Sequence, residues 1–117
     1  MKMSATISLS LILMAGAAAA ADRTWDGGGS DANWKTPANW DGDATYPSAG
    51  DALFFGGSAK LTNTNTLDAG TAVAGLTFNS GAGAFVLDGN GLTLDGEVRN
   101  LSANLQTVNL PLTLSGT

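Results

Sequence analysis

Three short stretches of this chain carry the same alternating triplet. Leu76-Thr77-Phe78-Asn79-Ser80, Leu92-Thr93-Leu94-Asp95-Gly96 and Leu112-Thr113-Leu114-Ser115-Gly116 align, with starts offset by 16 and then 20 residues. Each triplet puts two large apolar side chains on one face of an extended strand and a threonine on the other. A strand this short cannot bury itself. Its recurrence predicts coils that stack into a solenoid, an inward Leu or Phe of one coil lying above the matching residue of the next. The intervening threonines face water, and Asn and Gly supply the backbone angles of the corners.

Period-two patterning runs through the rest of the second half. Leu53 and Phe55 alternate with Ala52 and Phe54; Ala72, Ala74, Leu76 and Phe78 share a face; so do Phe85 with Leu87, and Val108, Leu110, Leu112 with Leu114. Asn79-Ser80-Gly81, Asp88-Gly89 and Asp95-Gly96 punctuate the strands. No window after residue 21 has helical spacing. The fold class expected is all-β, with a parallel solenoid favoured. The competing arrangement is an antiparallel β-sandwich, in which Phe85-Val86-Leu87 and Leu92-Thr93-Leu94 form a hairpin across Asp88-Gly89-Asn90-Gly91. Pro111 lacks the N–H that a central ladder needs, so it is expected at a corner or bulge.

The first residues have the order of a secretory leader. Lys2 is followed by the apolar stretch from Ile7 to Met14 and by small residues from Ala15 to Ala21 that end in an A-x-A pattern before Asp22. The apolar stretch is shorter than the ~20 residues that cross a bilayer. Cleavage is expected after Ala21 or Ala20. Removing residues 1–21 leaves 96 of 117 residues and takes Lys2 away, so four basic groups face ten acidic ones. That balance disfavours nucleic acid and anionic lipid as partners. There is no cysteine, so the stability of this small exported domain must come from repeated packing or from more chain rather than from disulfides.

Residues 22–50 hold all three tryptophans and a small echo, Ala32-Asn33-Trp34 and Ala38-Asn39-Trp40. Thr24-Trp25-Asp26-Gly27, the two Asn-Trp pairs, and Pro47-x-x-Gly50-Asp51-x-Leu53-x-Phe55 resemble the mature N-terminus of bacterial autotransporter-associated β-strand repeat proteins. Gly75-Leu76-Thr77-Phe78-Asn79 to Gly91-Leu92-Thr93-Leu94, and Asn104-Leu105-Gln106-Thr107 to Gly116, are similar to their first coils. The resemblance covers nearly all of residues 22–117. It implies a right-handed parallel β-helix passenger displayed at the cell surface, outer-membrane-associated in the full-length protein. The organisation expected is a signal peptide over 1–21, a Trp-rich capping segment over 22–56 and first coils over 57–117. Because the chain stops after a strand in an unfinished repeat, it is expected to be the N-terminal part of something longer.

Catalytic machinery is not in view. Without histidine or cysteine, Ser–His and Cys–His pairs are impossible, and nothing places Lys35 or Lys60 beside an activated serine. Asp88 and Asp95 are candidates for a glycosidase pair, but each precedes glycine in a turn and reads as a turn former, as do Asp41 and Asp43. Asp88-Gly89-Asn90-Gly91 and Gly27-Gly28-Gly29-Ser30-Asp31 have a faint likeness to calcium turns. The EF-hand pattern fails at Leu92 and for want of a glutamate at position twelve. No cofactor and no metal is expected, and the chain is not expected to be an enzyme. Trp25, Trp34 and Trp40 have two readings: they seal the open end of the first coil, or they form an exposed stacking platform that makes this a secreted carbohydrate-binding module. The function expected is that of a structural or adhesin-like surface passenger. Its expected partners are extracellular glycans or host or cell-surface proteins, with self-association through an exposed coil end.

Overall fold

The computed structural model describes residues 20–115. The expected leader falls almost wholly outside the described residues. Ten short strands follow one another among them: β1 (Asp22–Trp25), β2 (Ala52–Phe55), β3 (Thr62–Asn65), β4 (Thr71–Val73), β5 (Gly75–Phe78), β6 (Val86–Gly89), β7 (Leu92–Leu94), β8 (Val98–Asn100), β9 (Thr107–Val108) and β10 (Leu112–Leu114). A single 3-10 turn, Pro37–Asn39, is the only helical element among these residues. The protein is all-β.

The strands form three sheets, in the orders β1-β2-β5-β8, β3-β6-β9 and β4-β7-β10. Every pairing between named strands is parallel. From β2 onward the chain visits the first, second and third sheet in that order, three times over. From β2 onward, partner residues in neighbouring rounds are 20 to 24 positions apart, from Leu92 beside Leu112 to Thr62 beside Val86, whereas β1 and β2 are offset by 30. The hairpin of the sandwich alternative does not form: β6 and β7 lie in different sheets, and β7 pairs with β4 and β10.

The repeat read from the triplets is corrected in one respect. Leu92–Leu94 does stack on Leu112–Leu114, at the offset of 20 residues. Leu76–Phe78 does not stack on Leu92–Leu94. It belongs to the first sheet, where Leu76 lies beside Leu53 and Phe78 beside Phe55. The 16-residue offset therefore separates two faces of one round, not two rounds. β5 and β7 carry the same apolar alternation on different faces, so their triplets look alike in sequence. A second correction concerns Ala72 to Phe78. The chain bends at Ala74, which is exposed, and Val73 rather than Ala72 or Ala74 points inward.

Leu53, Phe55, Val73, Leu76, Phe78, Phe85 and Leu87 are completely buried, with Leu92, Leu94 and Leu110 nearly so. Each such side chain contributes about 1.5–3 kcal/mol on leaving water. Threonines 77 and 93 point the other way and are half-buried. Leu112 and Leu114 continue the inward register, but no further strand pairs with β8, β9 or β10 among the described residues, and Leu114 is 74% exposed. Pro111 sits between β9 and β10, outside any strand, and its carbonyl accepts from the Leu92 N–H at 2.9 Å. The corner position expected for it holds.

One corner shows why glycine is required. Gly89 ends β6 with φ near +105°, and a Cβ there would lie 2.5 Å from the Asn65 carbonyl oxygen of the neighbouring round. Both the backbone angle and the close approach exclude a side chain. Gly89→Ala is expected to destabilise the chain by about 2 kcal/mol or more. A melting curve unchanged by the substitution would contradict this placement.

Candidate functional site: the tryptophan layer and the outer face of the first sheet

The tryptophan segment lies across one end of the three sheets and is tied to each. Asp41 N–H donates to Thr24 O at 2.7 Å, and Asp26 N–H to Asn39 O at 2.8 Å, placing Trp40 antiparallel to Trp25 on the free edge of β1. Trp34 N–H donates to Thr64 O, and Thr64 N–H to Ala32 O, both at 2.9 Å, so that Asn33 bridges β3 in parallel. Gly50 N–H donates to Ala72 O at 2.9 Å, and Ala74 N–H to Asp51 O at 2.8 Å, along β4. β2, within residues 22–56, pairs with both β1 and β5.

Inside this layer the aromatic rings pack edge to face. Trp25 and Trp40 have centroids 5.3 Å apart at 84°, and Trp34 and Trp40 5.9 Å apart at 90°. All three meet Phe55, which passes the contact on to Phe78 and Phe85. Such pairs add about 0.5–1.5 kcal/mol each beyond area burial. Each indole N–H has an internal acceptor: Ala59 O for Trp25 at 3.0 Å, Asn63 Oδ1 for Trp34 at 2.7 Å and Trp34 O for Trp40 at 2.8 Å. Trp25, Trp34 and Trp40 are 1%, 0% and 0% exposed. A platform for sugar rings needs open indole faces, and none of the three has one.

The repeated Asn-Trp pair serves two different purposes. Asn39 is fully buried. Its Oδ1 accepts from Gly29 N–H at 2.8 Å, and its Nδ2 donates to the carbonyls of Asp31 and Asn33, both at 3.0 Å. Asn33 is half-buried and acts through its backbone. The glycine turn with a faint likeness to a calcium loop is bridged from within the protein. Lys60 Nζ donates to Gly27 O at 2.9 Å and to Gly29 O. The second such turn is also braced by side chains, with Asn109 donating to Asp88 at 2.8 Å and Asn90 to Leu67 O at 2.8 Å. Asp95 accepts from Ser115 Oγ. These carboxylates join consecutive rounds rather than converging on one cleft. Among the described residues no three His, Cys, Asp or Glu side chains cluster as metal ligands.

The charged group most deeply placed is Asp51, 1% exposed. Oδ1 accepts from Ala21 N–H at 2.9 Å; Oδ2 accepts from Arg23 Nε at 3.0 Å and Ser48 N–H at 2.9 Å. Burial alone would raise its pKa. The amide bonds of Ser48 and Ala21 and the Arg23 guanidinium outweigh that and hold the carboxyl below its ordinary value. Asp31, exposed, is also held low, chiefly by the Thr36 hydroxyl and the Asn33 amide.

The outer face of the first sheet carries a second candidate surface. Phe54, Thr77 and Arg99 stand in one column, their backbones in register across β2, β5 and β8. Together with Gly75 and Glu97 they line a shallow groove. Phe54 is half-buried and Arg99 exposed.

Sequence reading missed the buried polar groups. Asn63, Asn65 and Asp51 are each 0–1% exposed, yet Thr62-Asn63-Thr64-Asn65 has no apolar residue to mark its inward face. The available signal was its strict alternation, which is strand-like whatever the residue type.

A depressed carboxyl pKa stabilises the fold above the unfolded value, near 3.9, and that contribution disappears as pH falls through the folded value. Asp51→Asn is therefore expected to cost about 2 kcal/mol at pH 7 and to flatten the loss of stability as pH falls below about 4. Equilibrium unfolding followed across that range checks both. Identical pH profiles for the two proteins would refute the role given to Asp51.

No protein-family model matches the chain, and no solved structure does. Among curated proteins, the adhesin BmaC autotransporter of Brucella suis biovar 1 (strain 1330) is 36% identical over 97% of this chain. The chain spans 4% of the length of that relative. The chain is therefore similar nearly end to end to a short segment of an autotransporter adhesin.

Proposed function

We propose that this chain forms the opening coils of a right-handed parallel β-helix passenger, exported by a signal peptide and held at the bacterial surface for adhesion. The similarity to an autotransporter adhesin over 97% of the chain carries this reading. Three parallel sheets visited in a fixed order support the β-helix part of it. In this reading residues 22–56 seal one end of the stack, with Trp25, Trp34 and Trp40 closing over the inner column and the backbone of 26–51 occupying strand edges that would otherwise invite pairing. The function is mechanical extension and contact rather than catalysis.

Contact falls to the outer faces, because the inner ones are filled. The column of Phe54, Thr77 and Arg99 combines an aromatic ring, a hydroxyl and a guanidinium within one shallow groove. That set suits extracellular glycans or acidic patches on surface proteins. Cells displaying the chain are expected to adhere to cultured cells or immobilised glycans. Phe54→Ala combined with Arg99→Ala is expected to weaken adherence about tenfold with the melting temperature little changed. Equal adherence by the variant would move the contact elsewhere; none by the parent would end the adhesive reading.

At the opposite end of the stack, Leu101, Leu105 and Leu114 are 51%, 83% and 74% exposed, beside edges of β8 and β10 that no strand among the described residues pairs with. A second copy of the chain is the partner such an edge takes. Sedimentation is expected to show association that grows with concentration and is weakened by Leu101→Lys with Leu114→Lys. A monomer at every concentration would contradict it.

A further inference from the structure

The first described hydrogen bonds of the chain are made by Ala21. Its N–H donates to Asp51 Oδ1 at 2.9 Å, and its carbonyl accepts from Ala52 N–H at 3.0 Å. The other oxygen of Asp51 is taken by Arg23 Nε and Ser48 N–H, with the Ser48 hydroxyl at 3.4 Å. Oδ1 thus depends on Ala21. Ala20, one residue earlier, is exposed and makes none of the described hydrogen bonds. Among the described residues, Ala21 is the first whose backbone the fold holds by hydrogen bonds.

Leader cleavage requires small residues at the last and third-last positions before the cut. The alanine run satisfies this in more than one register: Ala18 and Ala20 for a cut after Ala20, Ala19 and Ala21 for a cut after Ala21. The two products differ in the folded state. A cut after Ala21 removes the donor to Oδ1 and the partner of Ala52 N–H, leaving a buried carboxylate oxygen and a strand amide unmatched. A cut after Ala20 keeps both. Water adds across the Ala20–Ala21 peptide bond; Ala20 leaves with the new carboxylate, and Ala21 keeps its nitrogen, which takes a proton. The amide donor becomes an ammonium within hydrogen-bond reach of a buried anion, a stronger contact than the one it replaces.

We propose that the mature chain begins at Ala21, and that its α-ammonium shares the Asp51 carboxylate with Arg23. The inference rests on the export reading. The full chain is expressed in an exporting bacterial host, and the released product is read by N-terminal sequencing and intact mass. A product starting at Ala21 is expected. One starting at Asp22, or upstream of Ala21, overturns the inference and leaves export standing; an uncut chain retained in the cytoplasm overturns both. Ala20→Tyr bars the first register and leaves a cut after Ala21 open, and the species starting at Asp22 is identified by its N-terminal sequence before melting. That species is expected to melt about 4–8 °C below the parent product. Equal melting temperatures would remove the structural role given to Ala21.

Discussion

A strand in a parallel sheet has two edges, and each must meet another strand or something that imitates one. In this chain that requirement governs everything between residues 22 and 74. No segment is long enough to make a sheet alone, so each round of chain depends on the next for its backbone hydrogen bonds and for cover of its apolar face. Phe55 shows the dependence most directly. It stacks on Phe78 at 5.7 Å, meets Phe85 at 5.5 Å and touches all three indoles, so the terminal layer and the inner column are one packed body.

The strand character of the chain was legible because period-two alternation survives short length. Leu53 with Phe55, and Phe85 with Leu87, were readable as inward pairs and are fully buried. Which pair lies above which was not readable. β5 and β7 use the same apolar alternation on different faces, so Leu76-Thr77-Phe78 and Leu92-Thr93-Leu94 look like successive copies when they are neighbours around a single turn. Register is a long-range property, and only the Leu92–Leu112 match happened to coincide with it.

The polar interior was the least legible part. An asparagine in a sequence marks turns and exposed corners, because its amide competes with the backbone for hydrogen bonds. Here the same competition is turned inward. Asn65 accepts from Leu67 N–H and donates to Asn90 O, so one side chain closes its own turn and anchors the next round's. Asn39 does the same for the tryptophan loop. No buried side-chain nitrogen or oxygen among the described residues lacks a partner, which is what permits so many amides within so thin a core.

Asn63 shows a different use of a buried amide. It stands in the column continued by Leu87 and Val108, and its Oδ1 receives the Trp34 indole N–H while its Nδ2 donates to Lys60 O. Greasy columns are indifferent to sliding by one storey, since leucine over leucine packs alike at any level. A lone amide in such a column acts as an indexing pin: Trp34 slipped down onto Leu87 would bury its N–H against methyl groups. The aromatic layer can therefore seat at only one level, and the count of rounds begins from a fixed origin.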